Sequence, residues 1–169
     1  MSKLVAPALA LALAALSVTA ACTDDDAAAS VEAHTDLVLA RIAATNAQDW
    51  DAWQAMHTVD ATRTAPELVE PLVGAATMRA AIEELTVTFP DYHLELVEAF
   101  GVDDRLMARI HATGTMLGPI EIDGTEIPPT GRAFQNDWVG VLTFEGDKIS
   151  AIDEFYDSYG ILIQLGLAQ

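Results

Sequence analysis

Residues 148–167 read KISAIDEFYDSYGILIQLGL. This stretch predicts a strand followed by a short helix, and the fold of the rest of the chain is inferred around this pair. Its first ten residues alternate like a strand with one buried face. The side that we expect to face inward carries two carboxylates among apolar side chains: Ile149, Ala151, Asp153, Phe155 and Asp157. The opposite side carries Lys148, Ser150, Ile152, Glu154 and Tyr156. The residues that follow the strand predict a short apolar helix.

The two inward carboxylates, Asp153 and Asp157, would lie ~13 Å apart along the strand at ~3.3 Å per residue. At that separation they do not share a proton as a coupled pair does. A buried ionised carboxylate is energetically costly, so its presence indicates a function. For Asp157 a second interpretation stays open, because Asp is a favoured N-cap residue and a helix is predicted to begin here.

The composition excludes some classes of partner. The chain of 169 residues has 26 acidic side chains against 8 Lys and Arg, for a net charge of −18. Such a charge argues against nucleic acid and against an anionic membrane surface as electrostatic partners. An acidic surface of this kind keeps a protein soluble and does not identify a ligand.

The N-terminus predicts export. A short start containing Lys3 is followed by an apolar run over residues 4–21, which is typical of a signal peptide at 1–21. The sequence LSVTAAC at residues 16–22 resembles a bacterial lipoprotein signal, in which Cys22 becomes the lipidated first residue. Thr19 stands where such signals usually have Leu. We therefore expect a lipoprotein anchored to a membrane, in the periplasm or at the cell surface.

The alternative is ordinary signal-peptide cleavage beside Cys22, which gives a free secreted protein. In either case residues 22–30 are predicted to form a flexible acidic tether, and residues 31–169 a single domain of ordinary size. Cys22 is the one cysteine of the chain, so no internal disulfide is possible.

The domain itself reads as helices followed by strands. Apolar spacing predicts helices over residues 31–47, 50–56 and 75–88. Alternation then predicts strands, which are expected over residues 61–64, 92–100, 105–116, 132–144 and 148–157. A loop with three Gly and three Pro separates the third and fourth of these, at residues 117–131. This order favours an α+β fold with the helices on one face of a curved sheet.

Four short motifs now carry a resemblance to a known family. They are FPD at 89–91, ATGT at 112–115, IPPTGR at 127–132, and Asp157 followed by GILIQLG at 160–166. In this order and spacing they resemble the SnoaL-like polyketide cyclases, often labelled ester cyclases, of the nuclear transport factor 2 superfamily. The resemblance extends from about Val31 to Leu167.

The resemblance implies a cone: a curved antiparallel sheet wrapped around three N-terminal helices, with a short C-terminal helix and a deep, mostly apolar pocket. It also implies a homodimer in many members, and no metal or organic cofactor. Asp157 matches the aspartate that acts as general acid/base in an intramolecular aldol closure. That chemistry needs a base beside a proton alpha to a carbonyl, in a pocket that raises the carboxylate's pKa.

The chain departs from the family at two places. Met116 stands where members often have His, and residues 151–153 read Ala-Ile-Asp where members often have Glu-His-Trp. Asp153 therefore adds a second acid, which would act as an electrostatic helper. Ketosteroid-isomerase chemistry is disfavoured, because Ala65 stands at the position of its catalytic Asp.

Further residues are candidates for the pocket. Trp138 and Asn136 share the apolar face of their strand, as a ligand platform and a hydrogen-bond donor to a carbonyl; the alternative is a core Trp and a structural Asn. Phe155 and Met116 are expected to line the pocket. His57 would lie at its mouth, or else in an exposed turn. The four His, at 34, 57, 93 and 111, lack metal-ligand spacing. Arg109 and His111 are expected on the opposite face, toward a dimer interface or solvent.

Two functions follow as hypotheses. One is an exported SnoaL-like enzyme that acts on a small carbonyl compound, with Asp157 as acid/base group. The other is a non-catalytic lipoprotein that binds a small hydrophobic molecule or serves as a dimeric interaction module.

Overall fold

The computed structural model describes residues 24–122 and 124–169. Its helices are α1 (Asp24–Ala47), α2 (Trp50–Ala55), α3 (Ala75–Thr88) and α4 (Ser158–Leu165). Helix α1 begins within the segment predicted as a tether, and α3 has the bounds that its apolar spacing predicts. The signal peptide and Cys22 lie outside the described residues. Among the described helices none is both long enough and apolar enough to cross a membrane.

The strands form one large sheet and one small one. They are β1 (His57–Thr64), β2 (Leu72–Val73), β3 (His93–Val102), β4 (Arg105–Thr115), β5 (Ile120–Ile122), β6 (Thr125–Ile127), β7 (Ala133–Glu145) and β8 (Lys148–Phe155). The large sheet has the order β2-β1-β8-β7-β4-β3, and β5 pairs with β6 in the segment predicted as a loop. Its pairs are antiparallel except β1 with β8, which run parallel, so the sheet is mixed rather than antiparallel throughout. The α+β cone predicted from the sequence is confirmed.

The core lies between the concave face of the sheet and the helices. In β4 and β7 the alternation predicts the buried face: Leu106, Ala108, Ile110, Ala112, Phe134, Trp138, Leu142 and Phe144 are all buried. Helix α1 adds Val38 and Ile42, and α3 adds Met78. Full burial of each large apolar side chain stabilises the fold by roughly 1.5–3 kcal/mol, so these strands fix the register of the sheet.

A β-bulge in β8 changes which side chains face inward. Thr143 pairs with Ala151 and Phe144 with Ile149, so Ser150 is an extra residue in the ladder. Beyond it the alternation is reversed, because one inserted residue moves every later side chain to the other face. The prediction that Asp153 and Phe155 face inward is therefore wrong.

The buried side chains of β8 are accordingly Ile149, Ile152 and Glu154. Phe155 is 60% exposed. Glu154 and Tyr156, which the sequence pattern places on the outer face, therefore lie on the face of the sheet that the helices cover.

Asn46, near the end of α1, joins this helix to the free edge of β3. Its side-chain amide donates to the Leu94 carbonyl at 2.9 Å, and its oxygen accepts from the Leu94 N–H at 2.9 Å. The edge strand thereby gains partners for both of its backbone groups at this position, which also closes the edge to another strand. Because the bonds join α1 to the sheet, they help to hold the helix over the concave face.

Candidate functional site

A cavity of about 740 Å³ lies between the concave face of the sheet and helices α1, α3 and α4. Much of its wall is apolar and comes from α3, α4 and the strands, including Met78, Ile82, Leu85, Leu94, Ala112 and Phe134. Its volume is in the range of sites for small organic molecules, which are commonly apolar with a few placed polar groups.

Charged side chains converge at one part of this cavity. Glu154 of β8 is only 8% exposed, and its Oε2 lies 2.7 Å from Nη2 of Arg63 on β1. The same Arg63 nitrogen lies 3.0 Å from Oε1 of Glu67, and the Tyr156 hydroxyl donates to the other oxygen of Glu67. These four side chains form a hydrogen-bonded chain along the wall.

Burial and charge set the protonation of this cluster. Burial by itself lowers the pKa of Arg63, but the charge and hydrogen bond of Glu154, with Glu67, outweigh it and raise the pKa overall. Arg63 is therefore a permanent cation. Burial raises the pKa of Tyr156 and of Tyr92, with further contributions from Glu67 and Glu154. Both hydroxyls are thus protonated near neutrality and can donate hydrogen bonds.

Arg41 of α1 also lines the cavity, and it is only 5% exposed. Its guanidinium carbon lies 5.1 Å from the centre of the Trp53 ring, which is a cation–π contact. Its Nε has no hydrogen-bond partner in the described part of the chain. The site therefore holds two guanidinium groups, and in the described part of the chain only that of Arg63 is bonded to a carboxylate.

Of the residues predicted from the sequence, Asn136 and Trp138 line the cavity. They lie side by side on the inner face of β7, where Asn136 pairs with Ala112 and Trp138 with Ile110 of β4. The Asn136 amide can donate to a ligand oxygen, and the Trp138 ring supplies a flat apolar surface.

Asp157 and Asp153 are engaged elsewhere. Asp157 caps α4: its Oδ1 accepts from the Gly160 N–H at 2.8 Å. The Oδ1 of Asp153 accepts from the Thr64 hydroxyl at 2.7 Å, across the parallel pair of strands. Neither carboxylate is part of the cavity lining, although the neighbours of Asp157, Tyr156 and Ser158, are. The expectation that both acids face the pocket does not fit this geometry.

Phe155, Met116 and His57 also lie outside the lining. Phe155 faces solvent because of the bulge, and Met116 is fully buried with its sulfur 3.6 Å from the Thr130 hydroxyl. His57 opens β1 and is 3% exposed, so it is neither at the pocket mouth nor in an exposed turn. Its ring lies 4.1 Å from that of Trp53, centre to centre.

Arg109 and His111 lie on the outer face of β4, as predicted. Arg109 bonds Glu98 at 2.7 Å and Asp137 at 2.9 Å, and His111 Nδ1 lies 2.6 Å from the other oxygen of Asp137. In the residues that the structure describes, no group of three or more His, Cys, Asp and Glu side chains is placed to hold a metal ion.

Four residues of the site are not predicted from the sequence pattern: Arg41, Arg63, Glu154 and Tyr156. A signal for Arg41 was available, because it stands three residues after Val38 and four before Thr45, on the buried stripe of α1. Glu154 could not be found in the same way, since the bulge at Ser150 reverses the alternation from which its outward position is predicted.

The comparisons with known proteins agree with this architecture. Residues 35–165 match the family model of the SnoaL-like polyketide cyclases. TsrD from Streptomyces laurentii is a similar solved structure, 26% identical with a TM-score of 0.69, covering 80% of this chain and 96% of its own. No curated protein matches the chain in sequence.

Two further solved structures share the fold. AclR from Streptomyces galilaeus, a proposed hydroxylase, is 24% identical with a TM-score of 0.69 and covers 82% of this chain and 99% of its own. A proposed SnoaL-like cyclase from a Jannaschia species is 18% identical with a TM-score of 0.71 and covers 82% and 94%. Since the family model spans residues 35–165, which is most of the chain, this protein belongs to the SnoaL-like polyketide cyclase family.

Proposed function

We propose that the cavity binds a small, mostly apolar carbonyl compound and that the chain catalyses proton transfer on it, with Glu154 as acid/base group. One observation carries the proposal: Glu154 is a nearly buried carboxylate in the wall of an apolar cavity, beside groups that can donate hydrogen bonds. Such a combination is typical of acid/base sites.

In this reaction the Glu154 carboxylate accepts a proton from the carbon alpha to the carbonyl. The electron pair of the broken C–H bond moves toward the carbonyl oxygen, which becomes an enolate. The Tyr92 hydroxyl and the Asn136 amide both line the cavity and can donate to that oxygen. Protonated Glu154 then returns the proton, and the Arg63 bond at 2.7 Å holds its side chain in place.

Deuterium exchange tests the proposal without knowledge of the natural substrate. We expect the full chain in D₂O to accelerate exchange of the alpha protons of 2-tetralone, followed by proton NMR. Glu154→Gln should lose about 100-fold or more of this acceleration, in the range that one acid/base group contributes. Asp157→Asn should retain it, because Asn also caps a helix. A loss confined to Asp157→Asn would instead support the assignment implied by the family resemblance.

The second candidate function is binding without catalysis. It is favoured by the fact that Glu154 is already paired with Arg63, and Asp157 with the N-terminus of α4. Saturable binding of 2-tetralone with exchange no faster than in buffer would decide for it.

Export, lipidation of Cys22 and a homodimer are also proposed, from the signal peptide predicted at residues 1–21, from the cysteine that follows it, and from the family resemblance. Intact-mass spectrometry of the mature protein tests the anchor. The expected mass is that of a chain beginning at a lipid-modified Cys22, and an unmodified Cys22 contradicts it. Light scattering of the soluble domain, residues 31–169, tests the dimer.

A further inference from the structure

Arg41 is a buried cation that has no anionic hydrogen-bond partner among the described residues. It lies on the face of α1 that also carries Val38, Ile42 and Thr45. All three are buried, so the Arg41 side chain points toward the interior of the protein like its neighbours. It lines the cavity there and is 5% exposed. A guanidinium in such a place needs compensation by charge or hydrogen bonds.

None of the carboxylates in the described residues bonds Arg41, although the charge of Glu154 acts on it from a distance. Glu154 and Glu67 are both bonded to Arg63, and within the described residues no carboxylate forms an ion pair with Arg41. The Nε of Arg41 lacks a hydrogen-bond partner among the same residues. The one contact of the guanidinium charge that the described residues show is the cation–π contact with the Trp53 ring. A cation–π contact does not satisfy the N–H donors of the guanidinium.

This part of the cavity is lined by two guanidinium groups and two carboxylates. Glu154 and Glu67 both bond Arg63, so among the described residues Arg41 is the cation left without a bonded anion. Burial lowers the pKa of Arg41, the charge of Arg63 lowers it further, and Glu154 opposes both effects. An unpaired buried ion is among the most costly features a fold can hold, and it is commonly retained for a ligand.

We propose that Arg41 binds an anionic group of the ligand, so that the molecule taken up is an apolar carbonyl compound carrying a carboxylate. The apolar part of the ligand would pack against the cavity wall formed by α3 and α4. Its carboxylate would accept hydrogen bonds from the guanidinium N–H groups of Arg41. This inference rests on the proposed function, because it assumes that the cavity is the binding site.

Two dyes with one aromatic body separate the two proposals. N-phenyl-1-naphthylamine is neutral, and 8-anilinonaphthalene-1-sulfonate adds only a sulfonate, which stands in for the carboxylate. Fluorescence titration of the full chain should show binding of both dyes, the sulfonate being the tighter. In Arg41→Met the advantage of the sulfonate should fall by at least about tenfold, the range for one lost hydrogen bond to a charged group. Affinity for the neutral dye should change little.

Arg79→Gln is the matched control. Arg79 is a surface arginine of α3 that pairs with Glu83 and Asp51 outside the cavity. This variant should keep the preference for the sulfonate. If both dyes bind with equal affinity, or if Arg41→Met weakens both alike, the inference about the anion is overturned while the cavity remains a binding site. If neither dye binds, the proposed function fails as well.

A measurement on the unchanged protein guards against a folding defect in Arg41→Met. 1-Naphthylacetate and its methyl ester should displace the bound sulfonate dye, the free acid at a concentration at least about tenfold lower. Equal displacement by acid and ester would overturn the inference. Thermal unfolding adds a second readout: removal of an unpaired buried charge should leave the ligand-free midpoint of Arg41→Met unchanged or raised, and a marked fall would show that Arg41 is structurally satisfied.

Discussion

Single buried polar side chains distinguish this molecule at the residue scale. Arg41 and His57 are both nearly inaccessible, and both contact the ring of Trp53. His57 Nδ1 lies 2.9 Å from the Trp53 carbonyl, which can only accept, so this nitrogen carries the proton. Its Nε2 is buried without a hydrogen-bond partner in the described residues. His57 is therefore a neutral side chain that the folded state keeps from charging.

This gives a pH prediction. Burial, with the charge of Arg41, lowers the pKa of His57 to about 3, against 6.5 in the unfolded chain. The unfolded state therefore binds a proton first as the pH falls, and stability is lost between pH 6.5 and 3 at up to ~1.4 kcal/mol per pH unit. The free energy of unfolding of His57→Asn, measured by urea unfolding at several pH values, should therefore fall less steeply with decreasing pH than that of the wild type.

His93→Asn serves as the control for that measurement, since the His93 side chain is largely exposed and pairs only loosely with Glu95 at 3.7 Å. Its slope should match that of the wild type. A slope in His57→Asn equal to that of the wild type would mean that His57 charges freely in the folded state.

At the scale of elements, β8 and α4 together decide which acids serve the site. The bulge at Ser150 brings Glu154 inward and sends Phe155 outward. The strand then ends, and Asp157 begins α4 with a side-chain hydrogen bond to Gly160. The helix N-terminus favours a negative charge at this position as well as an acceptor. Asp157 is thereby explained as a helix cap without reference to catalysis.

The cap predicts a graded effect of substitution. Asp157→Ala should lower the free energy of unfolding by about 1 kcal/mol, because the Gly160 N–H loses its acceptor. Asp157→Asn should be close to neutral, since its amide oxygen accepts the same bond. Urea unfolding of both variants measures the difference. An equal loss in the two would assign the effect to the charge of the carboxylate rather than to the hydrogen bond.

For the whole molecule, the central feature is an apolar space that the core leaves unfilled. Sheet and helices enclose about 740 Å³ rather than packing to the density usual in protein interiors. A fold that keeps such a space gives up dispersion contacts that closer packing would provide. Function and stability are therefore expected to compete for the same volume.

Filling the cavity should show this competition directly. Ala81 faces the cavity from α3, and Ala81→Leu should raise the free energy of unfolding by about 1 kcal/mol while it weakens binding of N-phenyl-1-naphthylamine. Ala80→Leu, on the exposed side of the same helix, should change neither. Thermal unfolding and dye titration measure the two effects. Stabilisation without loss of dye binding would place the dye elsewhere.

Local sequence determined most of the architecture. Apolar spacing predicts α3 with its observed bounds, and strict alternation predicts the buried faces of β4 and β7. These elements are long and regular, so the apolar period within each segment is enough to predict its type and its buried face. The family motifs are likewise local, and they led to the family that the comparison over residues 35–165 establishes.

Tertiary structure alone decided the composition of the site. Whether Glu154 or Asp153 faces inward depends on the pairing of β8 with β7, where one extra residue reverses the alternation. Whether Arg63 or Arg41 is paired depends on contacts between β1, β8 and α1, which lie far apart in the chain. Periodicity predicts only which side chains of one segment share a face. The cavity, and the position of Arg41 in its wall, arise where distant segments meet, and that information is present only in the folded molecule.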